Sequence, residues 1–313
     1  MSGDASSRPG DAPPSHAGNA PSPQAGNTLP SQAGNTLPSQ ADKALSFQRL
    51  HERAGAFVIP NPWDAGSAKM LAAIGFEALA TTSAGLGYTL GKPDGEGMIT
   101  REEALSNARA IVRATGLPVS ADLENGYGDG PEDCARTVLL AAEAGLVGCS
   151  IEDATGRSAD PVYPFGHALE RVKAAVQAAR SLPFRFMLTA RAENLLHGQD
   201  DLTDTIRRLE AYAEAGADVL YAPGLRTREE VEAVVRAVAP RPVNVLLGTA
   251  SIRLSFAEVA DLGVKRVSLG SALARVAYGA FLQAAEGIAR NADFTFIPGT
   301  VSYASLNDML KNN

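Results

Sequence analysis

From about Ala44 onward, short apolar runs alternate with longer stretches whose apolar positions recur at helical spacing. The runs read as strands: AFVIPN (56–61), ALATTS (78–83), PVSADLE (118–124) and GCSIED (148–153), then FRFMLTARAE (184–193), VLYAPG (219–224), VNVLLG (243–248) and RVSLG (266–270). The stretches between them read as amphipathic helices, from AGSAKMLAAIG and REEALSNARAIVRATG to SALARVAYGAFLQAAEGIAR. Several end at a glycine just before the next run, where a helix stop is expected. Eight strand-then-helix units in about 250 residues predict parallel strands joined by right-handed crossovers. The count and length fit an α/β protein of the (β/α)8 TIM-barrel class over residues 43–293. An open doubly wound sheet is the alternative, and no G-x-G-x-x-G follows the first strand to favour it.

The ends differ in texture. Residues 1–42 repeat a polar motif (PSHAGNA, SPQAGNTL, PSQAGNTL, PSQAD) with almost no large apolar side chains. Such a segment buries too little to offset its ordering entropy, so a disordered N-terminal tail is expected. Residues 294–313 end in SYASLNDMLKNN, which reads as a short helix. The chain carries 28 Lys+Arg against 35 Asp+Glu, a net charge of -7, which disfavours nucleic acid as a partner. No apolar run approaches the ~20 residues of a membrane span, and the first residues lack a secretory apolar core. A cytoplasmic protein with reduced thiols is expected, with Cys134 and Cys149 as core residues.

A barrel of this class gathers its chemistry where the strands end. Strand 2 delivers Ser83, Ala84, Gly85 and Leu86, read as a turn able to aim N–H groups and a hydroxyl at an anion. Strand 3 delivers Asp122 and Glu124, two apart and so on one face. Strand 4 brings Glu152, and strand 5 brings Arg191. Carboxylates crowded at one strand end repel one another without a cation, and an all-oxygen set suits Mg2+, with Mn2+ as the alternative. Arg191 could hold a substrate carboxylate through two parallel hydrogen bonds. Together these features point to a small anionic carboxylate chelated to a metal. His197 follows strand 5 and is read as a loop residue.

These residues, in this order, resemble the isocitrate lyase/phosphoenolpyruvate mutase family from about Phe47 to Asn291. The likeness rests on NPWDAGSAKML, TTSAGLGYTLGKPDGEGMI, SADLENGYGDGPE, SIEDATG and LTARAEN. It implies a Mg2+-dependent barrel that makes or breaks C–C or P–C bonds in 2-oxo acids or related carboxylates. It also implies a homotetramer or homodimer that exchanges its last helix between neighbours. The resemblance makes Asp122 the direct metal ligand and places Glu124, Glu152 and Asp94 around the metal, largely through water. It assigns Ser83, Ala84 and Gly85 to the oxo acid and Arg191 to the substrate carboxylate.

The segment after strand 4 departs from the family. Lyases of this family carry K-K-C-G-H there, and the mutases a lysine. Here residues 154–160 read ATGRSAD, with no Lys, Cys or His. The expected reaction is therefore decarboxylation or retro-aldol cleavage of a small 2-oxo or 2-hydroxy acid through an enolate, with the proton source open among Tyr88, Arg157, Tyr163 and a metal-held water. P–C bond chemistry and a barrel that only binds a 2-oxo acid are the two alternatives. The loop from about Thr155 to Phe165 is expected to act as a lid.

Overall fold

The computed structural model describes residues 38–311, so the expected tail lies outside the described residues up to residue 37. Eight strands form one sheet: β1 (Phe57–Ile59), β2 (Leu79–Ala80), β3 (Val119–Asp122), β4 (Gly148–Glu152), β5 (Met187–Arg191), β6 (Val219–Tyr221), β7 (Val243–Leu246) and β8 (Arg266–Ser268). Every pairing is parallel, and β1 pairs with β8, which leaves β1 and β2 as the two edges of the sheet. The seam between β1 and β2 is crossed by one backbone bond, Ala80 N–H to the Pro60 carbonyl at 3.0 Å. Asn61 fastens the same seam. Its Nδ2 donates to the Thr81 carbonyl at 3.0 Å, and its Oδ1 accepts from Leu269 N–H at 2.9 Å. The result is the eight-stranded barrel that the alternation predicted, closed on side-chain bonds where backbone pairing stops.

The helices are α1 (Gln40–Glu52), α2 (Ala65–Ile74), α3 (Ser83–Leu90), α4 (Arg101–Ala114), α5 (Pro131–Glu143) and α6 (Phe165–Arg180). They continue as α7 (Leu202–Glu214), α8 (Arg228–Val238), α9 (Phe256–Asp261), α10 (Ala272–Asn291) and α11 (Tyr303–Lys311). Local chemistry explains their ends. Thr100 with Glu103, Thr227 with Glu230, and Ser255 with Glu258 form reciprocal capping boxes. Gly75, Gly145, Gly216 and Gly263 stop helices with φ near +100°, a conformation costly for residues with a Cβ.

Two elements differ from the sequence reading. Helix α1 precedes the first strand and was absent from the alternation. It is capped by Ser39 and Asp42 and closes the N-terminal end of the barrel. There Ala44, Phe47 and Leu50 pack on Phe57, Ala78, Val147, Met187 and Val219. The second is the Ser83–Leu86 segment, read as a turn. It is the first turn of α3, because Thr82 caps the chain through the Gly85 N–H at 3.2 Å. Gly85 is required there, since a Cβ would lie 2.6 Å from Thr82 Cγ2 and 2.9 Å from Trp63 Cβ.

Candidate active site at the barrel mouth

Three strand ends converge on one guanidinium. Arg191 closes β5, and register sets it beside Glu152 on β4 and Tyr221 on β6. Its Nη1 donates to Asp122 Oδ1 at 2.9 Å, its Nη2 lies 3.0 Å from Glu152 Oε2, and its Nε donates to Glu193 Oε1 at 2.8 Å. Its charged plane also lies 5.1 Å from the Tyr221 ring centre. Burial disfavours the cation, but Glu152, Glu193 and Asp122 together hold Arg191 firmly protonated. Asp122 is shared. Its Oδ2 accepts from the Ser83 hydroxyl at 2.9 Å and the Ser83 N–H at 3.3 Å, so the start of α3 points at this carboxylate.

The chain beyond Asp122 is bent hard. Glu124 and Tyr127 have φ of 45° and 58°, and Gly126 has φ of 80°. A left-handed non-glycine residue costs roughly 1–3 kcal/mol and persists only where the surroundings enforce it. Here the Glu124 carbonyl accepts from Glu152 N–H at 3.0 Å, and Asn125 Oδ1 accepts from Tyr127 N–H at 2.9 Å. Arg171 lies beneath the turn, donating to the carbonyls of Gly128 (2.8 Å), Asp129 and Asn125, with its charge 4.2 Å from the Tyr163 ring centre. The bend turns the Glu124 carboxyl into the mouth. Burial, then the charges of Asp122 and Asp94, push it up to about 7. Burial and Asp122 also raise Asp94. The Tyr127 hydroxyl is buried with no hydrogen-bond partner among the described residues.

A cavity of about 700 Å3 opens over this cluster, and Ser83, Asp94, Glu124, Tyr127, Glu152 and Arg191 line it. A second cavity of about 180 Å3 descends into the barrel and shares Ser83, Asp94 and Arg191 with the first. It contains Ala84 and Asp122 in its wall. The mouth therefore gathers Ser83, Asp94, Asp122, Glu124, Glu152 and Arg191, while Gly85 serves the backbone beneath. His197, read as a loop residue, lies on the rim of the larger cavity.

Tyr88 and Arg157 line neither cavity. Tyr88 sits on the far turn of α3, where its ring meets Tyr278 edge-on at 6.0 Å. Arg157 pairs with Asp129 at 2.8 Å on the surface. The expected lid is a folded hairpin: Ala154 bridges Val162, Thr155 N–H reaches the Pro161 carbonyl, and Tyr163 N–H reaches the Asp153 carbonyl. The Tyr163 hydroxyl is held by Asp129. Cys134 and Cys149 are fully buried, and burial pushes the Cys134 thiol up to about 11.

Sequence reasoning missed Glu193. It is buried beside Arg191, and its N–H donates to Asp153 Oδ1 at 2.8 Å. Asp153 is 2% exposed and also takes Arg208 Nη1 at 3.0 Å and the Tyr212 hydroxyl at 2.8 Å. This chain of contacts fixes Arg191 from behind. The available signal was the acidic residue two positions after Arg191.

The donor chemistry fits a hard divalent cation: several carboxylates, Glu124 and Asp94 among them raised by burial and then by neighbouring carboxylates, and a hydroxyl. Among the described residues no three His, Cys, Asp or Glu side chains are grouped closely enough to hold a metal ion as they stand. Arg191 lies between two of these carboxylates, its terminal nitrogens on Asp122 Oδ1 and Glu152 Oε2.

Parallel strands, covering helices and an acidic, arginine-centred mouth at the strands' C-terminal ends define a (β/α)8-barrel enzyme. The model of one family, described as phosphoenolpyruvate phosphomutase, matches residues 47–289. The chain belongs to the phosphoenolpyruvate mutase family. A solved structure from Burkholderia cenocepacia J2315, provisionally assigned as a lyase or mutase, superposes with a TM-score of 0.84 at 57% identity, covering 87% of this chain and 96% of that one. An uncharacterised protein of Mycobacterium tuberculosis H37Rv is 35% identical over 269 residues, 85% of this chain and 96% of its own. The 2,3-dimethylmalate lyase of Eubacterium barkeri is 28% identical over 270 residues, 81% of this chain and 89% of its own. Among the described residues no helix is long and apolar enough to cross a membrane.

Proposed function

We propose that the protein is a divalent-metal-dependent lyase that cleaves a C–C bond in a small 2-oxo or 2-hydroxy carboxylate. The observation that carries this reading is Asp122, held at one centre by the Ser83 hydroxyl, the Ser83 N–H and Arg191. A cation held by Asp122, with Glu124, Glu152 and Asp94 around it, would supply Lewis acidity toward the substrate's oxo oxygen. With a cation on Asp122 and Glu152, the terminal nitrogens of Arg191 that now lie on them would be free to hold a substrate carboxylate. Glu193 stays on Nε and keeps the guanidinium plane aimed into the mouth. The start of α3, where Ser83 and Ala84 line the shaft and the close-packed Gly85 lets the chain approach, lies where negative charge would develop as the C–C bond breaks. The resemblance to a dimethylmalate lyase supports C–C cleavage.

Helix α10 buries Ala274 alone and exposes Val276 (70%), Phe281 and Leu282, and Tyr303 of α11 is 90% exposed. An apolar face of that kind supports a homo-oligomer in which this arm packs on a second copy.

The deciding assay is pyruvate release from oxaloacetate, methylisocitrate, dimethylmalate and phosphonopyruvate, with Mg2+ and with a chelator, alongside glyoxylate from isocitrate. Metal-dependent release from one of the carbon acids is the expected outcome. Phosphate from phosphonopyruvate would instead favour P–C chemistry, the reading that the matched family's description supports. No turnover of any acid would reject the C–C reading for this set.

A further inference from the structure

The interior of this barrel is polar. Ser120, Ser150, Tyr221, Asn244, Arg266 and Ser268 line much of the 180 Å3 shaft below the mouth, where branched aliphatic layers are usual in such barrels. At its foot is Arg266 on β8, 6% exposed. Its Nε donates to Asn244 Oδ1 at 2.8 Å and its Nη2 to Thr189 Oγ1 at 2.9 Å. Asn244 is braced in turn by the Ser268 hydroxyl at 2.9 Å. Both partners of Arg266 are neutral, and no carboxylate forms an ion pair with it among the described residues.

Among the described residues, the other arginines that are buried or line the mouth are compensated. Arg191 has three carboxylates, and Arg208 has Asp153 and Asp204. Arg171 has three carbonyl oxygens and a tyrosine ring. Arg266 has two neutral acceptors and an open cavity beside it. Burying a charge without a partner is costly, and the group then weakens its own ionisation. Burial lowers Arg266 to about 10, and the tyrosine of β6, Tyr221, is the neighbour that opposes it. From below, the site faces His51 of α1, itself held neutral by burial and by Arg266. The shaft thus carries an uncompensated positive charge at its foot and opens at its top onto Arg191 and Asp122.

We infer that the shaft is an anion subsite in which Arg266 seats the second carboxylate of a small dicarboxylic acid whose other acid end is held at the mouth. The proposal rests on the reading of the mouth as a metal-and-carboxylate site. Thr189 and Arg191 lie two residues apart on one face of β5, about 7 Å along the strand. Arg266 reaches Thr189, so the two cations bracket a gap that an acid of a few carbons would span. A monocarboxylate would satisfy the mouth and leave the foot of the shaft uncompensated, which makes Arg266 a selector for dianions.

Thermal shift of the full chain with Mg2+ present tests this, using succinate, propionate, oxalate and sodium chloride at matched ionic strength. Succinate should raise Tm more than propionate or chloride. Arg266→Met should abolish that excess while keeping the oxalate response, because oxalate is short enough to stay at the mouth. Arg266→Lys, a second variant should Met fail to fold, should weaken succinate at least fivefold by Kd. A succinate excess that survives in Arg266→Met, unchanged succinate affinity in Arg266→Lys, or a wild type in which chloride or propionate matches succinate would each overturn the proposal. A Mg2+-dependent oxalate response in any of those cases leaves the reading of the mouth standing. Loss of the oxalate response in the wild type would overturn both.

Discussion

At the N-terminal ends of the strands, Phe57, Met187 and Val219 meet Ala44, Phe47 and Leu50 of α1 in a closed apolar floor. At the opposite ends Asp122, Glu152 and Glu193 meet Arg191 under an open cavity. The strands are the same, and the two ends obey different rules. The floor keeps closer to local rules, with mostly apolar side chains, a capped helix and no bent backbone, and His51 Nε2 as its buried atom without a partner among the described residues. The mouth breaks them with buried charges, an unpartnered Tyr127 hydroxyl and left-handed Glu124 and Tyr127. Each violation costs free energy that the floor and the outer helical layer offset, and the violations cluster where a ligand can relieve them. A residue of the floor should therefore matter to stability alone, and a residue of the mouth to chemistry alone.

The largest test of that division is Asp122→Ala. It removes the carboxylate that Ser83 and Arg191 share, together with one of several mutually repelling charges. Metal-dependent turnover should fall by about a thousandfold or more, the several kcal/mol that a lost Lewis acid represents. The metal-free Tm should stay level or rise. Turnover within tenfold of wild type would remove Asp122 from the centre of the site.

Phe47→Ala is the mirror experiment. Phe47 is fully buried in the floor, and a buried Phe→Ala exchange costs about 3–5 kcal/mol. Urea denaturation should show that loss, while kcat/KM per folded molecule holds. A changed kcat/KM with stability intact would mean that the floor and mouth are coupled.

The same contrast explains what the sequence made legible. Alternating runs reveal a barrel because each strand buries both faces between helices and interior, and glycine stops such as Gly75 and Gly216 punctuate it. Asp122, Glu152 and Arg191 stood out because charge at a strand end is conspicuous. Helix α1 was hidden because only Ala44, Phe47 and Leu50 mark its face, directly after a polar segment. Helix α3 was hidden because Gly85 and Gly87 lower its propensity, and the Thr82 cap that rescues it is one side chain. Glu193 and Arg266 escaped notice because their partners, Arg191 and Thr189, are set by side-chain direction and strand stagger. Those quantities follow from packing, which periodicity does not encode.

A smaller effect should distinguish the ends by pH. His51 lies in the floor, 5% exposed, edge-on to Phe47 and Phe57, with Nδ1–H donating to the Phe47 carbonyl at 2.9 Å. Burial, then the nearby Arg266 charge, lowers it to about 3. The unfolded chain takes up a proton below about 6.5 that the folded chain refuses. Stability from neutral His51 is thus complete above pH 6.5 and is lost as pH falls toward 3, at up to about 1.4 kcal/mol per unit. His51→Leu should flatten that part of the acid limb measured by urea titration at stepped pH. An identical slope in the variant would show that His51 is protonated in the folded floor.

The smallest effect is expected at Arg157, whose place in the hairpin after β4 made it a candidate proton donor. Its guanidinium is paired with Asp129 on the surface, and the hairpin is already fastened by Thr155, Pro161 and the Tyr163 hydroxyl on Asp129. A group that lines neither cavity can reach substrate only if the hairpin unfastens. Exposed ion pairs contribute little, because water screens both charges and two long side chains must be ordered. Arg157→Ala should leave kcat within about twofold and its pH profile unmoved. A large loss of kcat with KM unchanged would mean that the hairpin opens during turnover and carries Arg157 inward. The boundary between mouth and scaffold would then have to move outward to include this loop, and the missing proton source would lie on it.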